Sequence, residues 1–199
     1  MRLLDAYITL SKFPVPVLST SDAAFLLKVP AVNASKILQR LSNAGQVQRL
    51  KRGKWLLAEL VNPLIIPQYL TAPWPSYISL HTALFHHGLI EQIPTTTWAV
   101  TLDRTKLFKT KVGIISLHHI DSKLFLGFDY APKATYQIAT PEKALFDVFY
   151  FGAYNVSECS NLPEVELPKS FNWKVFREYV SKINSKRVKT MVVKRADRY

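Results

Sequence analysis

An α+β fold in two parts is what this sequence predicts, and three observations predict it. The first sixty residues carry apolar residues at helical spacing and end in a short hairpin pattern with a glycine at its turn. Prolines then crowd together at Pro63, Pro67, Pro73 and Pro75, a density that favours extended chain and marks a connector. Beyond them, β-branched and aromatic segments are interspersed with helical ones, the pattern of a mixed α+β domain with a mostly antiparallel sheet. The expected division is 1–60, a proline-rich linker over 61–75, and 76–199.

The totals narrow the function classes. A chain of 199 residues with 48% hydrophobic and 20% charged residues has the make-up of an ordinary globular protein, neither disordered nor membrane-embedded. No run of about 18 apolar residues occurs, so no membrane span is expected. Asp5, Pro14 and Pro16 spoil a secretory leader. The one cysteine, Cys159, allows neither an internal disulfide nor a thiolate metal cage. A cytoplasmic protein is the plain expectation.

The net charge of +12 is unevenly placed. Residues 1–60 hold 9 Lys and Arg against 3 Asp and Glu, and residues 169–199 hold 10 against 2, while the middle holds 7 against 9. Two basic ends flanking a slightly acidic middle suit a polyanionic partner, which such ends attract through counterion release.

Leu3, Leu4, Tyr7 and Ile8 form the expected stripe of a first helix, stopped by Pro14 and Pro16. Ser19 and Asp22 have capping-box spacing for a second helix, Ala23 to Leu27, which ends before Pro30. A third helix begins near Asn33. In it Ala34, Ile37, Leu38 and Leu41 recur at i, i+3, i+4, i+7 and face a core, and Gly45 is placed to end it in a left-handed conformation. Its other face displays Ser35, Lys36, Gln39, Arg40 and Asn43. Each can donate a hydrogen bond, and none carries the negative charge that repels phosphate. Two short helices, a tight turn and a donor-rich second helix make a helix-turn-helix, and Arg, Lys, Gln and Asn are the side chains that read guanine and adenine edges.

"VQRLKRGKWLL" follows directly. Val47, Leu50, Trp55 and Leu57 supply apolar anchors on two short strands, and Arg52-Gly53 lies where they reverse. A charge run at a turn is ordinarily just solvated. After a recognition helix, though, the same hairpin is a wing, with Lys51, Arg52 and Lys54 placed to meet phosphate or the minor groove. The N-terminal part is therefore expected to be a winged helix-turn-helix that binds double-stranded DNA.

In the second part, "SLHTALFHHG" reads as a helix capped by Ser79 and closed by Gly88. "TTWAVTL", "VGIISLHHI", "KLFLGFDY" and "TYQIA" read as strands. A helix follows with Thr140 as N-cap, Pro141 at its first position and Glu142 beside its positive end, on a stripe of Ala144, Leu145, Val148 and Phe149. Trp173, Phe176, Val180 and Ile183 mark another helix, and a last basic segment has Val188, Met191 and Val192 as its apolar side. Its cations Lys186, Arg187, Lys189, Lys194, Arg195 and Arg198 suit phosphate or an acidic partner, or simply solvent.

Signals for catalysis are weak. His86-His87 and His118-His119 are adjacent pairs, which diverge on a helix and point to opposite faces on a strand; no zinc spacing surrounds them. Lys143 and Asp147 are i, i+4 partners, a structural pattern. No phosphate-binding glycine loop or nucleophile elbow occurs. Neither a metal nor a cofactor is expected.

Three segments carry a resemblance. "LQRLSNAGQVQRLKRGKWLL", "YISLHTALFHHGLIEQIP" and "IATPEKALFDVFYF" resemble, in order and at similar spacing over roughly residues 1–155, the AbiEi-type antitoxins of abortive-infection, type IV toxin–antitoxin systems. The resemblance implies a non-enzymatic protein with a winged-helix N-terminus that represses its own operon at inverted repeats. It further implies a C-terminal domain that counters a nucleotidyltransferase-like toxin encoded beside it, in phage defence. By position, Ser35, Lys36, Gln39 and Arg40 match the recognition helix, and Lys51, Arg52 and Lys54 the wing. Two alternatives stand beside it. One is a free-standing winged-helix regulator without a toxin partner. The other is a metal-dependent nucleic-acid enzyme, for which Asp103, Asp121 and Asp129 are the evident loop carboxylates.

Overall fold

The computed structural model describes residues 2–57, 61–131, 134–160 and 162–199. The chain is mixed α+β and divides into two compact units, residues 1–70 with 110–112, and residues 71–109 with 113–199. The expected boundary at Leu60 lies outside the described residues.

The first unit runs α1 (Leu3–Ser11), β1 (Val17–Ser19), α2 (Thr20–Leu27), α3 (Ala31–Asn43), β2 (Gln48–Lys51) and β3 (Lys54–Leu56). The capping box is present: the Ser19 hydroxyl accepts from the Asp22 amide at 3.0 Å and the Asp22 carboxylate accepts from the Ser19 amide at 2.7 Å. Such a reciprocal pair satisfies two donors that a helix start otherwise leaves open. Lys28, at φ +53, ends α2 in the left-handed region. Gly45, at φ +76, follows α3, as its position in sequence predicts.

The strands form an antiparallel sheet in the order β1-β3-β2, pairing Leu18 with Trp55 and Gln48 with Leu56. Gly53 takes φ +75 at the β2–β3 turn, a conformation that costs glycine nothing. Ala6, Leu10, Leu18, Ala23, Leu27, Ala34, Leu38, Leu41, Val47, Trp55 and Leu57 make one core. The Trp55 indole donates to the Thr20 hydroxyl at 3.0 Å, so its polar edge is satisfied inside that core.

Two expectations for this unit change. The inward face of α1 is Leu3, Ala6, Tyr7 and Leu10, while Leu4 and Ile8 are 59% and 47% exposed. Two spacings fitted the helical period, and the one that includes the small Ala6 allows the closer approach. Residues 61–75 are not simply extended. A 3₁₀ turn at Pro63–Ile65 leads into α4 (Ile66–Thr71), begun by the Asn62 side chain accepting from the Leu64 amide at 3.0 Å. Pro63 and Pro67 fall at first-turn positions, where a missing N–H breaks no helical hydrogen bond.

The second unit holds a six-stranded sheet in the order β6-β7-β5-β4-β9-β8. Its strands are β4 (Ser76–Ile78), β5 (Thr96–Thr101), β6 (Lys106–Thr110), β7 (Gly113–His119), β8 (Phe128–Tyr130) and β9 (Gln137–Ala139). The sheet is mixed: β4 is antiparallel to β5 and β8 to β9, whereas β5 runs parallel to β7 and β4 to β9. "KLFLGFDY" yields only β8. Its start is a 3₁₀ turn, Ser122–Leu124, opened by the Asp121 carboxylate accepting from the Lys123 amide.

The helices of this unit are α5 (Leu80–His86), α6 (Pro141–Ala153), α7 (Trp173–Ser181) and α8 (Lys186–Ala196). Helix α6 begins as expected, with the Thr140 hydroxyl accepting from the Lys143 amide and Pro141 at its first position. Every residue from Lys143 to Ala153 is buried, not the expected stripe alone, because α5, α7 and α8 all pack against this helix. Ser79 precedes α5 but makes no cap; its hydroxyl donates to Asp147 at 2.6 Å instead.

Candidate nucleic-acid interface

Helix α3 presents two faces fixed by its apolar period. Ala34, Leu38 and Leu41 are fully buried, so the residues opposite them must face outward. Ser35, Lys36, Gln39, Arg40 and Asn43 are all exposed. Gln39 donates through Nε2 to the Asn43 side-chain oxygen at 3.0 Å, one helical turn on. That bond orients the two exposed amides against each other. The described acidic residues of residues 1–70 are Asp5 on α1 and Asp22, which is committed to the α2 cap. Neither lies on α3.

Pro30 stands at the N-cap of α3 and offers no side-chain acceptor to the first-turn amides. An uncapped helix start keeps its partial positive charge for an anion. The hairpin that follows sorts the three cations expected at its tip differently. Arg52 is exposed at the turn. The Lys51 ammonium donates to the Leu70 carbonyl, so the expected phosphate contact is occupied by a structural one. Lys54 is half-buried in β3, opposite Ser19 on one side and Lys51 on the other.

Three exposed residues of this unit lie outside the motif pattern. Arg49 projects from β2 with its guanidinium 5.7 Å from the Trp55 ring centroid, and strand alternation with buried Leu50 was the signal for it. Phe25 on α2 is 84% exposed and Val32 on α3 is 67% exposed. Phe25 falls within the apolar run of the second helix, and Val32 lies just before Asn33, where the sequence predicts the third helix to begin.

The basic C-terminal segment divides as well. Lys186, Arg187, Lys189 and Lys194 on α8 are exposed, as is Arg198 beyond it. Arg195 is half-buried and donates to the Cys159 carbonyl at 3.1 Å and the Gly152 carbonyl at 3.2 Å. It ties α8 to α6 and is not free to take up a phosphate or an acidic partner.

Several titratable groups of the second unit are held by internal partners. Lys143 and Asp147 form a fully buried ion pair. Burial lowers the Lys143 pKa and raises that of Asp147. The Tyr77 and Ser79 hydroxyls donate to Asp147 at 3.0 and 2.6 Å, and the neighbouring carboxylate adds to burial in pushing the Tyr77 phenol well above its usual range. His87 donates through Nε2 to the Ala139 carbonyl at 2.7 Å. His118 shares a 2.9 Å hydrogen bond with Ser116 and stacks on Trp98. Burial pushes the Cys159 thiol up to about 12, which keeps it protonated and unreactive. Of the loop carboxylates, Asp103 pairs with Lys106 at 3.1 Å, Asp121 caps a 3₁₀ turn and Asp129 lies on β8. Among the described residues no three His, Cys, Asp or Glu side chains are grouped to hold a metal ion, and no helix is long and apolar enough to cross a membrane. Compared with protein-family models and with curated protein sequences, the chain finds no match.

Proposed function

We propose that residues 2–57 are a winged helix-turn-helix that binds double-stranded DNA, with α3 in the major groove and the β2–β3 hairpin as the wing. The observation that carries this reading is the acid-free exposed face of α3, where Ser35, Lys36, Gln39, Arg40 and Asn43 all offer donors. Lys36, Gln39 and Arg40 read base edges, as amide and cationic side chains do. Arg52 and the uncapped start of α3 hold the backbone. Paired on an inverted repeat, two copies place their half-sites about 34 Å apart, one DNA turn.

The wider role we propose is a cytoplasmic antitoxin and autorepressor, whose second unit counters a nucleotidyltransferase-like toxin without itself being an enzyme. Its support is the resemblance of three ordered segments to the AbiEi-type antitoxins. The DNA reading is tested by replacing Lys36, Gln39 and Arg40 together with alanine and measuring a mobility shift on the chain's own promoter. Binding is lost if α3 is the recognition helix; unchanged affinity removes that assignment. Co-expression with the product of the adjacent gene, scored by growth, tests the antitoxin role. Promoter binding without growth rescue would favour a free-standing regulator.

A further inference from the structure

The outward stripe of α3 contains a sixth residue that the donor pattern does not explain. Val32 precedes Ser35 by three positions, Lys36 by four, Gln39 by seven and Asn43 by eleven, which puts all of them on one face. It lies nine positions before buried Leu41. At about 100° per residue that places the two on opposite sides of the helix axis. Val32 is 67% exposed, so it contributes little to the core, and a β-branched residue has low helix propensity. It occupies the first turn of α3, the end of a recognition helix that meets base edges. An isopropyl group has no hydrogen bond to offer there. The one apolar group on a major-groove edge is the 5-methyl of thymine.

We infer that Val32 is a specificity-determining residue that contacts a thymine methyl group in each half-site. This rests on the DNA-binding reading proposed above and extends it to the base composition of the target. From Val32 to Asn43 the helix advances about 16 Å, so the contacted thymine lies at one end of the recognised base pairs and the amide and guanidinium contacts follow from it.

The test uses the full chain and a duplex that it selects from a randomised library. Each thymine in that duplex is replaced in turn by deoxyuridine, which removes the methyl and leaves the hydrogen-bonding edge unchanged. Wild type should lose about fourfold in affinity at one thymine per half-site, the worth of one buried methyl group. Val32→Ala should lose that preference while keeping the wild-type unfolding midpoint, and Val32→Ile, which retains the apolar surface, should keep the preference. Specific binding with no thymine-over-uracil preference, or a preference that persists in Val32→Ala, overturns the Val32 assignment and leaves DNA recognition standing. Failure of wild type to select any duplex overturns both.

Discussion

Lys143 and Asp147 face each other one turn apart on α6 with neither side chain reaching solvent. Their spacing is that of a solvated helix pair, but their surroundings are not. Tyr77 on β4 and Ser79 just beyond it complete the shell of the carboxylate, and the ammonium lies 4.7 Å from the Phe146 ring centroid. The pair therefore joins β4 to α6. Removing one charge strands the other inside, which costs ~3–5 kcal/mol. Asp147→Asn should lower stability in urea denaturation by that amount. Adding Lys143→Met, which removes the stranded ammonium, should restore part of it. Strictly additive losses in this double-mutant cycle would mean the two groups do not interact.

Acid should weaken the second unit through its histidines. Burial holds the His118 pKa below its ordinary value, with Glu158 opposing the shift, and His81 shows the same direction and the same opposition. His86 is lowered by burial and then by His87. A histidine with a depressed folded pKa binds fewer protons folded than unfolded, so stability rises with pH across that window. It is fully present above about pH 6.5, the unfolded value, and falls as pH drops toward the folded values. The thermal midpoint should decline between pH 7 and pH 5. His118→Asn should flatten that decline, and Glu158→Gln should steepen it. A midpoint independent of pH over this range would contradict the burial of these rings.

What was legible in the sequence was what local chemistry decides. The Ser19–Asp22 cap, the left-handed Gly45 and the Arg52-Gly53 turn each depend on a few adjacent residues, and each is present. The exposed face of α3 followed from period alone. What was missed depends on packing partners that a one-dimensional pattern does not carry. Ser79 has the residue type of a cap, but Asp147 lies 68 positions away and takes its hydroxyl. Lys51 and Arg195 look like free cations until their carbonyl acceptors are brought to them by the fold. β4 is only three residues long and starts directly after Pro75, too short to show a period, and β6, with its exposed Lys106, Leu107 and Lys109, has no clean alternation to announce it.

Gly152 is required by close approach rather than by an unusual φ. A Cβ built there would lie 1.8 Å from Arg195 Nη1 and 2.6 Å from the Cys159 carbonyl oxygen. Gly152→Ala gains helix propensity of about 1 kcal/mol, but it must expel the guanidinium and lose hydrogen bonds from a charged group worth ~1.5–3 kcal/mol each. The loss outweighs the gain, so Gly152→Ala should lower the unfolding free energy. Because Arg195→Ala already forfeits those bonds, combining the two should cost less than the sum. A neutral Gly152→Ala would show that α8 does not pack over α6 in this way.

The three cations expected at the hairpin tip should separate in a salt titration, because only their charges are alike. Arg52 is exposed at the turn, whereas the Lys51 ammonium already serves the Leu70 carbonyl and Lys54 is half-buried. On the proposed DNA-binding reading, Arg52 neutralises one phosphate and releases its counterion. The slope of log affinity against log salt should then fall by about 0.9 in Arg52→Ala, with affinity weakened across sequences alike. Lys51→Ala should instead lower thermal stability and leave the slope unchanged, since its contact is internal. Fluorescence anisotropy at four or five salt concentrations reads both. A sequence-selective loss in Arg52→Ala with an unaltered slope would mean that the turn reads bases. A slope change confined to Lys51→Ala would reverse the roles of the two residues, because it would require the bond to Leu70 to open on binding.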